Sequence, residues 1–288
     1  MNPNTRNITT NCELPWCMLE PFNESLNTMD LILFHLCEEY EEYKEYYKNL
    51  IKRSPERVSI LDNSAYEFFI KRQVLDLDRY CEIINELNPT YYILPDELMD
   101  YDMTLDKINQ FIKNYMTKIT VNSQQIIVVK GNTSEEFVEL YDEVFENHKT
   151  LKRNIAIPFH NSFFKTLPVD SIVIKTFEHM LKDKKILGSE DVQYAMGRVQ
   201  WILNHKYLLK NCDYIHILGS HCPLEKLFYN GLVNSMDTGY PVKCGVKGYN
   251  LFDEPSKPDI IIDEFFKSTF DDNAKTIIKN NIIRFSKM

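Results

Sequence analysis

The feature that most constrains this chain is an alternation. Short aliphatic and β-branched runs recur along it, and nearly every one leads into a longer polar stretch with helical patterning. The runs are Leu31–Leu36, Arg57–Asp62, Tyr91–Pro95, Gln125–Val129, Asn154–Pro158, Asp213–Leu218 and Leu232–Met236. None exceeds six residues, and most are apolar almost throughout, as strands buried on both faces are. Helices are predicted from about Leu36 to Arg53, near Leu77–Leu87, near Thr104–Met116, from Thr133, near Val192–Leu209, over Pro223–Tyr229 and over Ile260–Phe285. Thr133 and Glu136 have the spacing of a capping box.

Strands that alternate with helices in this way build parallel sheets. The alternation predicts an α/β fold, a (β/α)8 TIM-type barrel, with its eighth strand expected around Pro241–Val246. A doubly wound open sheet is the alternative, but the glycine-rich phosphate loop expected after its first strand is missing. The sequence shows neither an internal repeat nor a linker. The reading is therefore one domain over residues 1–288, with 1–30 as an N-terminal extension and 250–288 as a helical closure.

Composition adds limits. With 288 residues and 44% apolar content, the chain can bury one large core or two small ones. No apolar run is long enough for a membrane span, and Met1–Cys12 lacks the apolar centre of a signal peptide. Seven cysteines at irregular spacing read as reduced thiols in a cytoplasmic setting, and no Cys-x-x-Cys pair marks a zinc site. A net charge of −9 opposes bulk capture of nucleic acid, yet it is compatible with a local basic groove. Residues 38–45 and 135–146 are acidic.

Polar residues collect just beyond the runs. They are Asp62-Asn-Ser-Ala-Tyr66, Asp96-Glu97, Lys130-Gly-Asn132, Phe159-His160, Gly219-Ser-His221 and Asp237-Thr-Gly239. In a barrel these strand ends share the face that holds the active site. Asp62 and Asp96 fit two readings, as turn or cap residues and as functional acids. Asp237 follows apolar Met236 with no strong helical pattern directly after it, so capping explains it poorly and a catalytic carboxylate explains it better. His160, His216 and His221 read as structural or exposed, because their spacing matches no metal site.

Taken together these stretches resemble the tRNA-guanine transglycosylase superfamily. The segment His216-Ile-Leu-Gly219, Pro223-Leu-Glu-Lys-Leu227, Gly231 and Ser235-Met-Asp237 is similar to that family's Leu-Met-Gly, Pro-x-x-Leu and Gly-x-Asp block. Leu61-Asp-Asn-Ser-Ala65 resembles its Asp-Ser-Gly motif, and Pro95-Asp-Glu97 its base-recognising Asp-Glu. Lys130-Gly131 stands where the family has Gln-Gly, and Ile155-Ala-Ile-Pro158 where it has Ala-Ile-Gly-Gly. The order holds over about residues 57–245.

The resemblance implies a (β/α)8 barrel with Asp237 as the nucleophile and Asp62 as the general acid/base. It implies a base pocket containing Asp96, Glu97, Lys130, Gly131, Ile157, Phe159 and Gly219, with Tyr66 and Tyr240 as further aromatic candidates. The family's zinc module, Cys-x-Cys-x-x-Cys with a later His, is absent, so no cofactor or metal is expected. Ala65 and Pro158 replace glycines of the family pattern. The short chain looks most like DNA-acting relatives from phages and bacterial modification clusters, the DpdA-like enzymes. These exchange guanine in DNA for a 7-deazaguanine base. The expected partners are thus DNA, with tRNA as the alternative polymer, and a free 7-deazaguanine base. Lys243, Lys247 and Arg198 are the expected backbone contacts, with Lys206 as a further one.

Overall fold

The computed structural model describes residues 8–98, 100–159, 161–181, 188–253 and 266–288. His160 and the first part of the helix expected from Ile260 lie outside the described residues. The chain runs β1 (Thr9–Cys12), α1 (Trp16–Leu26), β2 (Asp30–Leu33), α2 (Phe34–Glu39), α3 (Glu41–Arg53), β3 (Ser59–Asp62), α4 (Ala65–Lys71), α5 (Leu77–Leu87) and β4 (Tyr91–Ile93). It continues through α6 (Tyr101–Asn114), β5 (Gln124–Val128), α7 (Ser134–Asn147), β6 (Asn154–Pro158), α8 (Ser171–Met180), α9 (Glu190–Asn204) and α10 (Lys206–Leu209). Then come β7 (Tyr214–Leu218), β8 (Ser235–Thr238), α11 (Tyr240–Val246) and α12 (Asp272–Ser286).

Among the described residues, eight strands form one sheet in the order β1-β8-β7-β6-β5-β4-β3-β2. The strand pairs with an assigned register are all parallel. The fold is α/β, of the (β/α)8 TIM-barrel class. Its residues group into two compact units, one of residues 29–157 with 212–214, the other of 1–28, 158–211 and 215–288.

The first unit is built on β2 to β6. Ile60, Leu61, Tyr92, Ile93, Ile126, Ile127, Ile155 and Ala156 are all essentially inaccessible, which is why these strands read as apolar runs. Tyr80 of α5 donates its hydroxyl to Leu61 O at 3.2 Å and Ile93 O at 2.7 Å, tying the helix to β3 and β4. Asp76 caps α5 through the Asp78 and Arg79 amides, and left-handed Asn88 ends it. At α7 the Thr133 hydroxyl accepts from Glu136 N at 3.1 Å, as the sequence predicts. The return bond is shifted by one residue, since Glu136 Oε2 accepts from Asn132 N at 2.6 Å.

The second unit holds β1, β7 and β8. β1 is a correction to the sequence reading, because Thr9–Cys12 lies in what reads as an extension. In register with β8, it pairs Asn11 with Asp237. The strand expected at Pro241–Val246 is instead α11, a helix with proline in its first turn, where the missing amide costs nothing. β8 begins at Ser235 and ends at Thr238, so Asp237 belongs to the strand. Two close approaches fix helices here. A Cβ on Gly197 of α9 would sit 1.7 Å from Phe164 O, and one on Gly245 of α11 would sit 2.4 Å from Ile278 Cγ1 of α12.

Other boundaries move for local reasons. The run from Leu31 turns helical at Phe34, α4 was not expected, and the helix predicted over Val192–Leu209 breaks at His205. Pro223–Phe228 is a 3-10 helix. None of the seven cysteines is in a disulfide. No helix among the described residues is long and apolar enough to cross a membrane.

Candidate functional site

Two groups of polar side chains lie at the C-terminal ends of the strands, one in each unit. The first is centred on Asp237, whose side chain is only 2% exposed. Strand periodicity explains its company. Ser235 and Asp237 are two apart on β8 and face the same way, and His216 of β7 is registered against Ser235. Ser235 Oγ lies 2.7 Å from His216 Nδ1, and His216 Nε2 lies 3.0 Å from Asp237 Oδ1. Gly219 N donates to the same Oδ1 at 2.9 Å. An ionised carboxylate only accepts, so Nε2 carries the imidazole proton. In the neutral ring, Nδ1 is then left to accept from the Ser235 hydroxyl.

The backbone around Gly219 explains why that residue is glycine. Its φ is +64°, in the left-handed region, and the space where a Cβ would sit is open. Two bonds stitch the next residue to β8, Ser220 N to Asp237 O at 2.9 Å and Thr238 Oγ1 to Ser220 O at 2.5 Å. Although α11 follows Asp237 closely, the carboxylate does not cap it. The N-cap of that helix is Gly239, with no side-chain cap bond.

Below this loop sits a buried ion pair that sequence reasoning assigned differently. Arg198, expected at a nucleic-acid backbone, is fully buried and cannot serve there. It grips Glu225 with Nε at 2.7 Å and Nη2 at 2.8 Å, and it donates to Leu218 O at 3.0 Å. Glu225 also accepts from Ser220 Oγ at 2.9 Å and Tyr229 OH at 2.7 Å. Burial would lower the Arg198 pKa, but the Glu225 carboxylate raises it overall. Burial, and then Glu225, push the Tyr229 phenol well above its usual range, so it stays a donor.

Phe159 is buried, its ring 4.0 Å from that of His221 and 5.0 Å from the Arg198 guanidinium. His221 Nδ1 lies 2.9 Å from Asp191 Oδ1. Tyr240 is a buried core residue. Lys243 is half-buried in α11, and Lys247 just beyond it is exposed, as is Lys206 of α10.

The second group lies at the ends of β3, β4 and β5. Asp62 Oδ2 accepts from Ser64 N at 2.9 Å, the Asx-turn contact that the sequence allowed. Ser64 itself has φ +57°, a left-handed serine buried at a strand end. It is held by His35, with N at 3.2 Å and Nδ1 at 2.9 Å from its Oγ. Asn63 bridges two strands, because its Nδ2 donates to Leu94 O and to Asp96 Oδ1, both at 2.8 Å.

Asp96 pairs with Lys130, and both side chains are nearly inaccessible. Lys130 is therefore no surface lysine. Its ammonium also donates to Glu97 O at 2.6 Å. Glu97 Oε2 takes Lys107 Nζ at 2.6 Å. A Cβ on Gly131 would meet Phe137 N at 2.6 Å, so this glycine admits the first turn of α7. Ile157 is fully buried, and Tyr66 is 51% exposed. Burial, then the Asp62 carboxylate, push the Tyr80 phenol well above its ordinary value.

Sequence reasoning missed His216 as a partner of Asp237, and it missed Ser235, Asn63 and Glu225. The available signal was parity, since a His in an otherwise apolar strand and a Ser two residues before an Asp mark one polar strip. Among the described residues, no group of three or more His, Cys, Asp or Glu side chains is arranged to hold a metal ion. Comparison with known proteins returns no matching family model and no matching curated protein.

Proposed function

We propose that the protein is a guanine transglycosylase that exchanges guanine in DNA for a 7-deazaguanine base through a covalent intermediate on Asp237. One observation carries the reading. Asp237 is a buried carboxylate whose two donors, His216 Nε2 and Gly219 N, both fall on Oδ1. That arrangement orients the group and leaves Oδ2 as the attacking oxygen.

In the first step Asp237 Oδ2 bonds to the sugar C1′ as the C1′–N9 bond breaks, and its electron pair leaves with guanine. A general acid supplies the proton that the departing base takes up, and the family resemblance gives that role to Asp62. In the second step the N9–H of the incoming base returns a proton to Asp62. N9 then attacks C1′, and the Asp237 carboxylate departs. A carboxylate nucleophile thus splits one hard displacement into two easier ones. In the ester intermediate Oδ1 is the carbonyl oxygen, where the same two donors stabilise the charge that returns as the ester breaks.

The Asp96–Lys130 pair suits the purine edge. Guanine presents an acceptor at O6 beside a donor at N1–H, and an ammonium next to a carboxylate complements that pattern. The target base must leave its stack, at a cost of a few kcal/mol.

The decisive test is trapping. Incubation with DNA yields an adduct that survives denaturation and disappears in Asp237→Asn, and labelled 7-deazaguanine enters DNA in place of guanine. Incorporation only into tRNA would reassign the polymer. Base release without incorporation would make the protein a hydrolase, and no adduct with either polymer would overturn the reading.

A further inference from the structure

β1 carries a buried polar side chain that the Asp237 network does not use. Asn11 is registered against Asp237 in the parallel β1–β8 pair, as Thr9 is against Ser235. Registered neighbours pleat together, so Asn11 projects from the face that carries Ser235 and Asp237. It is only 2% exposed. Among the described residues no group hydrogen-bonds to its carboxamide, Asp237 included.

The neighbouring asparagines of the same unit are the contrast. Asn27 Oδ1 accepts from Cys12 N at 2.7 Å, and its Nδ2 donates to Cys12 O at 2.9 Å and to Asn23 Oδ1 at 2.8 Å. Thr10 N donates to Thr28 Oγ1 at 2.7 Å, and Thr10 O accepts from Thr28 N at 2.9 Å. The backbone on both sides of Asn11 is therefore fixed, while its side chain is left unanswered. A buried amide without a partner destabilises the fold, and such groups are kept where a ligand supplies the partner.

The chemistry of the pair limits that ligand. Asp237 repels an anion, and an apolar group would leave the carboxamide stranded. Among the described residues no acid or imidazole cluster completes a cation site beside them. A neutral, oxygen-rich ring fits, because Asn11 Nδ2 can donate to its oxygens and Asn11 Oδ1 can accept from its hydroxyls. In a displacement at C1′ the base leaves from the side opposite the attacking carboxylate. A residue that flanks the carboxylate therefore meets the sugar and not the base.

We propose that Asn11 is a substrate-binding residue whose carboxamide holds the sugar that Asp237 attacks. It rests on the reading of Asp237 as the nucleophile at C1′. The test uses the full chain, with guanosine, 2′-deoxyguanosine and free 7-deazaguanine as probes. Asn11→Leu, close in size and apolar, raises the urea midpoint of the ligand-free protein, since it removes an unanswered amide. It weakens nucleoside binding by about tenfold or more, the scale of one lost hydrogen bond, and leaves binding of the free base unchanged. A loss confined to guanosine places the contact at the 2′-hydroxyl, and the sugar contact stands. A midpoint that falls while nucleoside binding is unchanged marks a structural asparagine and overturns the proposal. Equal losses for nucleoside and free base also overturn it. If the variant does not fold, the wild type decides, because the Asn11 side-chain amide resonance moves on nucleoside addition, and a resonance unmoved at saturation refutes the contact. If nucleosides bind through Asn11 yet no adduct or base exchange occurs, the sugar site stands and the base-exchange reading falls. If Asn11→Leu forms the adduct with wild-type rate and affinity, that reading stands and the sugar contact falls.

Discussion

At the residue scale the informative unit is Ser235–His216–Asp237. Because both donors sit on Oδ1, the imidazole acts by holding the carboxylate, and its tautomer is its function. The expected imidazole carries a proton on Nε2, towards Asp237, readable from the nitrogen shifts of His216. A proton on Nδ1 alone would refute this geometry whatever the enzyme's activity. If Asp237 attacks C1′, His216→Phe lowers kcat by roughly ten- to a thousandfold, the scale for losing one oriented donor at a developing charge, with little change in KM. The Asp96–Lys130 pair makes a different prediction. Lys130→Met leaves a buried carboxylate without its cation, and removal of one partner of such a pair costs about 3–5 kcal/mol. Urea unfolding would show it, and the double change Asp96→Leu/Lys130→Met would recover much of the loss. These partnerships were hidden in the sequence for one reason. Asp96 and Lys130 are 34 positions apart, and only the parallel pairing of β4 with β5 brings them together.

At the element scale, legibility followed burial. β5 and β6 were readable because both their faces meet apolar neighbours, and α5 because its apolar stripe and its Asp76 cap both appear in the sequence. β1 was not readable. Thr9-Thr-Asn-Cys12 is mostly polar, and Asn11 is buried beside Asp237 only through the β8 register. α11 misled in the opposite sense, since its valines suggest a strand while Pro241 sets a helical first turn. Helix propensity alone favours alanine over glycine by about 0.8–1.0 kcal/mol, so Gly197→Ala in α9 ought to stabilise. The structure reverses the sign. The added methyl would overlap the Phe164 carbonyl of the 3-10 turn Ser162–Thr166, and relieving it shifts a helix against its support. A net loss on the order of 1–3 kcal/mol is expected in chemical unfolding, typical of overpacking. An unchanged or higher midpoint would mean that α9 and the turn are less tightly apposed.

At the scale of the whole molecule, the alternation was enough to specify the fold class, because a parallel sheet covered by helices is the arrangement that buries such runs. The cysteines give the whole-molecule behaviour most open to measurement. Burial first, with Lys118 opposing, pushes the Cys81 thiol up to about 11. Burial likewise raises Cys212 to about 11, and Cys12, Cys37 and Cys222 rise further. Burial also raises Tyr141 to about 12. In the unfolded chain thiols titrate at about 8.5 and phenols at about 10. Below those values both states hold their protons, and the contribution of these groups to stability is complete. As pH rises from about 8.5 towards 11, the unfolded state sheds thiol protons that the folded state keeps. The unfolded state then binds fewer protons, and stability falls with rising pH. The melting temperature should therefore drop steeply between pH 9 and 10.5. The drop should shrink in a Cys81→Ala/Cys212→Ala variant compared with its own value at pH 7.5. A melting temperature that holds constant through pH 10.5 would show that these thiols ionise as readily in the folded protein as in the unfolded chain, and are not buried as described.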